Sequence, residues 1–209
     1  MMHTGWVGMG LLLLLLLLGA AAEAALLLPG RPDRNDFAGM ARWLVSGNSW
    51  GVLSTVSVHL QGMPFGNIAS FSDGPPGNST GTPYFYLTKL DPTAYDLSKN
   101  PRCSLSLSEE PLGTCGNKDA ENPSCAKLTL SGQVEEIQTD KERGFAAEAL
   151  FSKHPEMRSW PAHHNFRFYK FIIEDIFLID WFGGPKPLTV SDYYWNNHIS
   201  TFLLDGLAQ

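Results

Sequence analysis

Arg102, Ser104 and Ser106 alternate along Arg102 to Ser108, so in an extended chain they share one face while Cys103, Leu105 and Leu107 share the other. An arginine fork beside hydroxyls is phosphate-site chemistry. These three are the candidate cofactor-phosphate ligands; the plainer reading is a solvated or subunit-facing side of an amphipathic strand. Gly77-Asn78-Ser79-Thr80-Gly81 fits G-x-S-x-G. A nucleophile elbow needs a strand before it and a helix after it. Here prolines precede the motif and a strand-like run follows, so no serine nucleophile is assigned. The same residues hold Asn78-Ser79-Thr80, an N-glycosylation acceptor, whereas Asn122-Pro123-Ser124 is excluded by its proline. His163 and His164 are neighbours, and neighbours on an extended chain point to opposite sides. No H-x-x-x-H accompanies them, so no metal ligand is assigned. G-x-G-x-x-G and the phosphate loop G-x-x-x-x-G-K-[ST] are also missing. No residue is given a catalytic role.

The chain has three cysteines and no C-x-x-C, which excludes a Cys-rich zinc module. Cys115 and Cys125 bracket a polar loop, and Cys103 lies on an apolar strand face. The simplest pairing joins Cys115 to Cys125 and leaves Cys103 a buried free thiol; sequence alone leaves the other two pairings open. Closing so short a loop would contribute about 2–3 kcal/mol. With 209 residues, a net charge of −6 and 44% hydrophobic residues, the chain has globular composition and suits one domain. The acidic balance argues against direct nucleic-acid binding.

Leu11 to Leu18 is unbroken leucine, followed by Gly19 and Ala20 to Ala22, then Glu23, Ala24 and Ala25. That is the pattern of a secretory signal peptide over 1–25, with cleavage after Ala22 or Ala24. Met1 to Met9 lacks the usual Lys or Arg, and Val7 to Leu28 is long enough for the rival reading, an uncleaved anchor. No later stretch is apolar enough to span, so the mature form is expected not to cross a membrane. A secretory route permits both a disulfide and a glycan on Asn78.

The expected organisation is a flexible lead-in over 26–35, one domain over 36–195 and a loose tail over 196–209. Asp36 reads as an N-cap, with Phe37, Met40, Ala41, Leu44 and Val45 forming one helical stripe. Trp50 to Leu60 alternates, with Val52, Val56, Val58 and Leu60 on one parity. Asn67 to Phe71, Tyr84 to Leu87, Arg102 to Ser108 and Ala126 to Ile137 also read as strands, with a bulge at Gly132. Pro92 to Ser98 reads as a helical turn. Asp140 reads as the cap of a helix reaching about Lys153 and burying Phe145, Ala146, Ala149 and Leu150. Phe166 to Ile173 and Ile176 to Trp181 read as strands joined by a tight turn at Glu174-Asp175, and Val190 to Trp195 as a short last helix. About six strands with hairpin-length links and short flanking helices favour an antiparallel barrel over a doubly wound sheet.

Several strings together resemble the CREG family, secreted "cellular repressor" glycoproteins: Ser49-Trp50-Gly51, Pro64-Phe65, Ser72 to Leu87 (SDGPPGNSTGTPYFYL), Leu130-Ser131-Gly132, Leu150 to Pro161 (LFSKHPEMRSWP), His164-Asn165 and Asp180 to Lys186 (DWFGGPK). The resemblance runs from about Phe37 to Tyr194. It implies a six-stranded antiparallel split β-barrel of the FMN-binding, pyridoxamine-phosphate-oxidase-like type, but a non-enzymatic role. It further implies a homodimer, N-glycans and residence outside the cell or in lysosomes or vacuoles. The implied partners are a second copy and a sorting or cell-surface glycoprotein receptor. The implied role is control of growth and differentiation, including transcriptional repression. A loop matching Cys115 to Cys125 by position covers the flavin pocket in that family, so no cofactor is expected. Two features depart from the pattern: a single sequon, and Arg102 in Asn100-Pro101-Arg102, which resembles the flavin-binding relatives. The alternative is therefore an FMN-dependent oxidoreductase with the phosphate on Arg102, Ser104 and Ser106.

Overall fold

The computed structural model describes residues 30–195. The expected signal peptide over 1–25 and the tail over 196–209 lie outside the described residues.

Helix α1 spans Phe37–Gly47, and Asp36 caps it as expected, its carboxylate accepting from the Gly39 N–H at 2.8 Å. Its stripe Met40, Ala41, Leu44 and Val45 is fully buried. Six strands follow: β1 (Trp50–Val56), β2 (Pro64–Ser70), β3 (Tyr84–Leu87), β4 (Arg102–Ser108), β5 (Lys127–Glu136) and β6 (Arg167–Ile179). They pair antiparallel throughout in the order β2-β1-β4-β5-β6-β3. Helix α2 (Pro92–Leu97) links β3 to β4, and α3 (Asp140–Lys153) links β5 to β6. A helical stretch covers 190–195. This is the expected split barrel. Its main core joins α1 to the inward faces of the strands through Leu53, Phe71, Phe85, Leu105, Leu128, Leu130 and Phe171. A smaller cluster beneath α3 gathers Tyr84, Ile137, Ala146, Leu150 and Met157.

The structure departs from the sequence reading in four places. First, the buried face of β1 is Gly51, Leu53 and Thr55, while Val56, Val58 and Leu60 remain exposed. Helix α2 is the physical reason. Asp96 is buried there and accepts from the Thr55 hydroxyl at 3.1 Å and the Val58 N–H at 2.8 Å, which satisfies the polar side turned inward. Second, β6 is one continuous strand without a turn at Glu174-Asp175. Its irregularity is a register shift opposite Ser131 and Gly132, the site of the expected bulge. Third, α3 is capped by Thr139 through the Glu142 N–H, one residue before the expected cap. Fourth, within the described part of the lead-in, 30–35, Arg31 ion-pairs with Glu109 and Asp180.

At the bulge, a Cβ on Gly132 would collide with the Ile172 carbonyl oxygen, a backbone atom that cannot swing away. Gly132→Ala is therefore expected to destabilise the domain by about 1–3 kcal/mol, read as a lowered denaturant midpoint.

Candidate functional site

The strand register sets Ser104 and Ser106 on an outward sheet face. Ile68, Val52, Ser106, Thr129 and Phe177 form one row across β2, β1, β4, β5 and β6. Gly66, Ser54, Ser104, Ser131 and Asp175 form the next row. The centre of this face thus carries small hydroxyl side chains, half-buried between their neighbours. The Ser106 and Thr129 hydroxyls share a hydrogen bond at 3.2 Å. The rim is apolar: Ile68 is 59% exposed and Phe177 44%, and Trp50 and Val56 are exposed on the same side of β1. Arg102 pairs with Gln133 at the strand's start and is exposed. The candidate phosphate ligands therefore share a face, but the serines sit in a closely paired hydroxyl ladder while the arginine stands at its end. Large apolar residues exposed in such number mark a contact surface.

The loop containing Asn78 is held by Asp73, which is buried. Its carboxylate accepts from the Ser79 hydroxyl and from the Gly81 N–H at 3.1 Å. Arg42, buried beneath, donates to the Ser79 and Thr80 carbonyls at 3.0 Å. Gly81 is required: its φ is 78°, and a Cβ would run into Arg42. Tyr193 donates to the Gly81 carbonyl at 2.7 Å, and burial pushes its hydroxyl pKa well above the ordinary value. Ser79 is thus a structural hydroxyl within this network, while Asn78 is exposed at the loop's surface.

Cys115 and Cys125 form a disulfide, and Cys103 is free and half-buried, its thiol pushed up to about 12 by burial. The Cys115 and Cys125 sulfurs lie beside a carboxylate oxygen of Glu109, but as a disulfide they offer no thiolate to a metal. Glu109 is the anchor of this corner. It accepts from Thr114 at 2.8 Å, from the Ala126 N–H at 2.7 Å and from Arg31 at 2.7 Å. Arg31 also donates to Asp180, whose second carboxylate oxygen, Oδ2, is buried with no hydrogen-bond partner among the described residues. Burial opposes ionisation at both carboxylates. At Glu109 the three donors prevail and its pKa falls below the ordinary value; at Asp180 burial prevails and the pKa rises. Nothing in the sequence pattern singles out this cluster, because its members lie 78 and 149 residues from Arg31.

A cleft of about 400 Å³ lies at the far end of β3, lined by Thr88, Lys89, Glu136, His163, His164 and Arg167, with Leu90 and Asn165 completing it. It brings the two histidines together, their rings 4.4 Å apart. Sequence reasoning found the histidines but missed Lys89, Glu136 and Arg167, which come from three other segments.

The strand order and the hydroxyl-centred outer face define a split-barrel protein. A domain description, "CREG, beta-barrel", matches residues 32–195. The chain is 45% identical to mouse Protein CREG2 over 161 residues, 75% of this chain and 56% of that protein. It is 39% identical to human Protein CREG1 over 176 residues, 82% of this chain and 80% of that protein. The chain thus belongs to the CREG family, although it spans only about half the length of CREG2. Among solved structures it is similar to a heme binding protein from Mycobacterium smegmatis, with a TM-score of 0.63 at 16% identity, covering 78% of this chain and 62% of that one. At that identity the likeness is one of fold.

Proposed function

We propose that this CREG-type chain is a secreted or lysosomal/vacuolar glycoprotein that acts by binding rather than by catalysis, as a homodimer without a flavin. The observation that carries this reading is the outward face of β2, β1, β4, β5 and β6. Its apolar rim of Trp50, Val56, Ile68 and Phe177 and its small hydroxyl centre suit a close, self-complementary contact with a second copy. The same face weakens the FMN reading. Ser106 is engaged by Thr129, and Arg102 is exposed. One arginine contact adds about 1.5–3 kcal/mol, whereas a micromolar complex requires about 8 kcal/mol. The disulfide-closed loop 115–125 is, by family resemblance, the cover of the flavin pocket, and its anchoring through Glu109 supports a fixed position. Control of growth, differentiation and transcription, through a sorting or cell-surface glycoprotein receptor, is the physiological role in keeping with the family.

The secreted, glycosylated part of the reading is tested on protein from culture medium. Glycosidase treatment is expected to lower its mass by one N-glycan, and Asn78→Gln is expected to abolish the shift. Exposure of Asn78 supports this outcome. A mass unshifted by glycosidase, for protein from the medium or from lysosomal fractions, overturns it.

A further inference from the structure

We propose that the cleft formed by the end of β3, the 162–164 turn and the starts and ends of β6 and β5 is an oxyanion site that takes a small phosphomonoester. The inference does not rest on the dimer or on the absence of flavin. The chain carries a net charge of −6, yet two cations, Lys89 and Arg167, line this cleft against a single carboxylate, Glu136, with His163 and His164 beside them.

Most basic side chains elsewhere are already engaged. Arg31 binds two carboxylates, Arg42 binds carbonyls, Arg143 and Lys170 pair with Asp140 and Glu142, and Lys153 binds the Ser46 and Asn48 carbonyls. Among the described residues, Lys89 and Arg167 have no ion pair and no ring partner, and both face the same space. A guanidinium and an ammonium lining one cleft are donors suited to a phosphate's terminal oxygens.

The cleft is also built to hold its shape. The Thr88 hydroxyl donates to the His164 carbonyl at 2.5 Å, which joins the end of β3 to the histidine turn. Asn165 closes that turn with φ 54°, a left-handed conformation that asparagine tolerates, and its N–H returns to the Ala162 carbonyl at 3.1 Å. Beside it, Tyr86 stacks on Phe166 at 4.9 Å and Trp160 lies 5.0 Å from Phe166, so the turn rests against a packed aromatic group. A volume of about 400 Å³ accommodates a phosphate with a sugar-sized body.

The test is calorimetric titration of the purified full chain with glucose 6-phosphate, inorganic phosphate and glucose at low ionic strength. Saturable binding of glucose 6-phosphate with Kd at or below ~1 mM is expected, tighter than inorganic phosphate, with none for glucose. Lys89→Gln and Arg167→Gln are each expected to weaken it about tenfold, Glu136→Gln to strengthen it by removing the like charge, and Arg102→Gln to leave it unchanged. All four positions are exposed, and circular dichroism checks that each variant is folded. Inorganic phosphate binding as tightly as the ester would overturn the phosphomonoester assignment. Absence of saturable binding, or equal weakening by Arg102→Gln, would overturn the site.

Discussion

Arg31→Met is expected to destabilise the domain by about 3 kcal/mol at neutral pH, the lower end of the range for stripping one partner from a buried ion pair. The lower end applies because the Arg31 side chain is 25% exposed, so water already moderates the pair, whereas Glu109 and Asp180 are each 1% exposed. The substitution leaves two buried carboxylates facing one another without their cation. For a domain of this size the loss corresponds to a fall in Tm of about 6–12 °C. Its pH dependence identifies the mechanism. In the native protein Glu109 is held below its ordinary pKa. Its stabilisation is therefore complete above the unfolded value of 4.5 and is lost as pH falls through the folded one. Asp180, held above its ordinary value of 3.8 by burial, acts in the opposite sense. Without Arg31 both carboxylates are raised by burial and mutual repulsion. The deficit of the variant should then shrink as pH falls toward 4, and Arg31→Met/Asp180→Asn should recover part of it at neutral pH. A deficit independent of pH between 4 and 7 would show that Arg31 acts through packing alone.

Ile68→Asp is expected to reduce the proposed homodimer to a monomer. Ile68 is 59% exposed on strand β2, at the edge of the sheet order, so the single chain tolerates the change. In a twofold contact each substitution appears twice, and each places a carboxylate in an apolar rim beside Val52 and its copy. A loss of about 2 kcal/mol or more per copy weakens association by about a thousandfold. Light scattering at micromolar concentration should therefore read twice the chain mass for the native protein and one chain mass for Ile68→Asp, with unchanged circular dichroism. A variant that stays dimeric would move the contact away from this face.

What was legible in the sequence had a local physical cause. The alternation Cys103, Leu105, Leu107 places β4 correctly, because the opposite strand face carries only polar residues. The Asp36 cap and its stripe placed α1, and Gly132 marked the bulge. β1 misled because both of its parities carry residues a core accepts. Its valines face outward, and what turns Thr55 inward is Asp96, 41 residues away. β6 read as two strands because Glu174-Asp175 looks like a turn, whereas the register shift with β5 absorbs the polar pair within one strand. The candidate phosphate residues share one face, but that Ser104 lies opposite Ser131 and the Ser106 hydroxyl meets that of Thr129 depends on strand order, which no local pattern encodes. The Arg31 cluster and the basic cleft were invisible for the same reason: each draws single residues from distant segments.

Titration of FMN into the purified protein, followed by quenching of flavin fluorescence, tests the central claim most directly. A binding protein whose flavin site is filled by its own disulfide-closed loop should show no saturable quenching at FMN concentrations up to about 100 μM. Saturable one-to-one binding with a micromolar Kd, about 8 kcal/mol of affinity, would contradict it and establish the chain as a flavin protein.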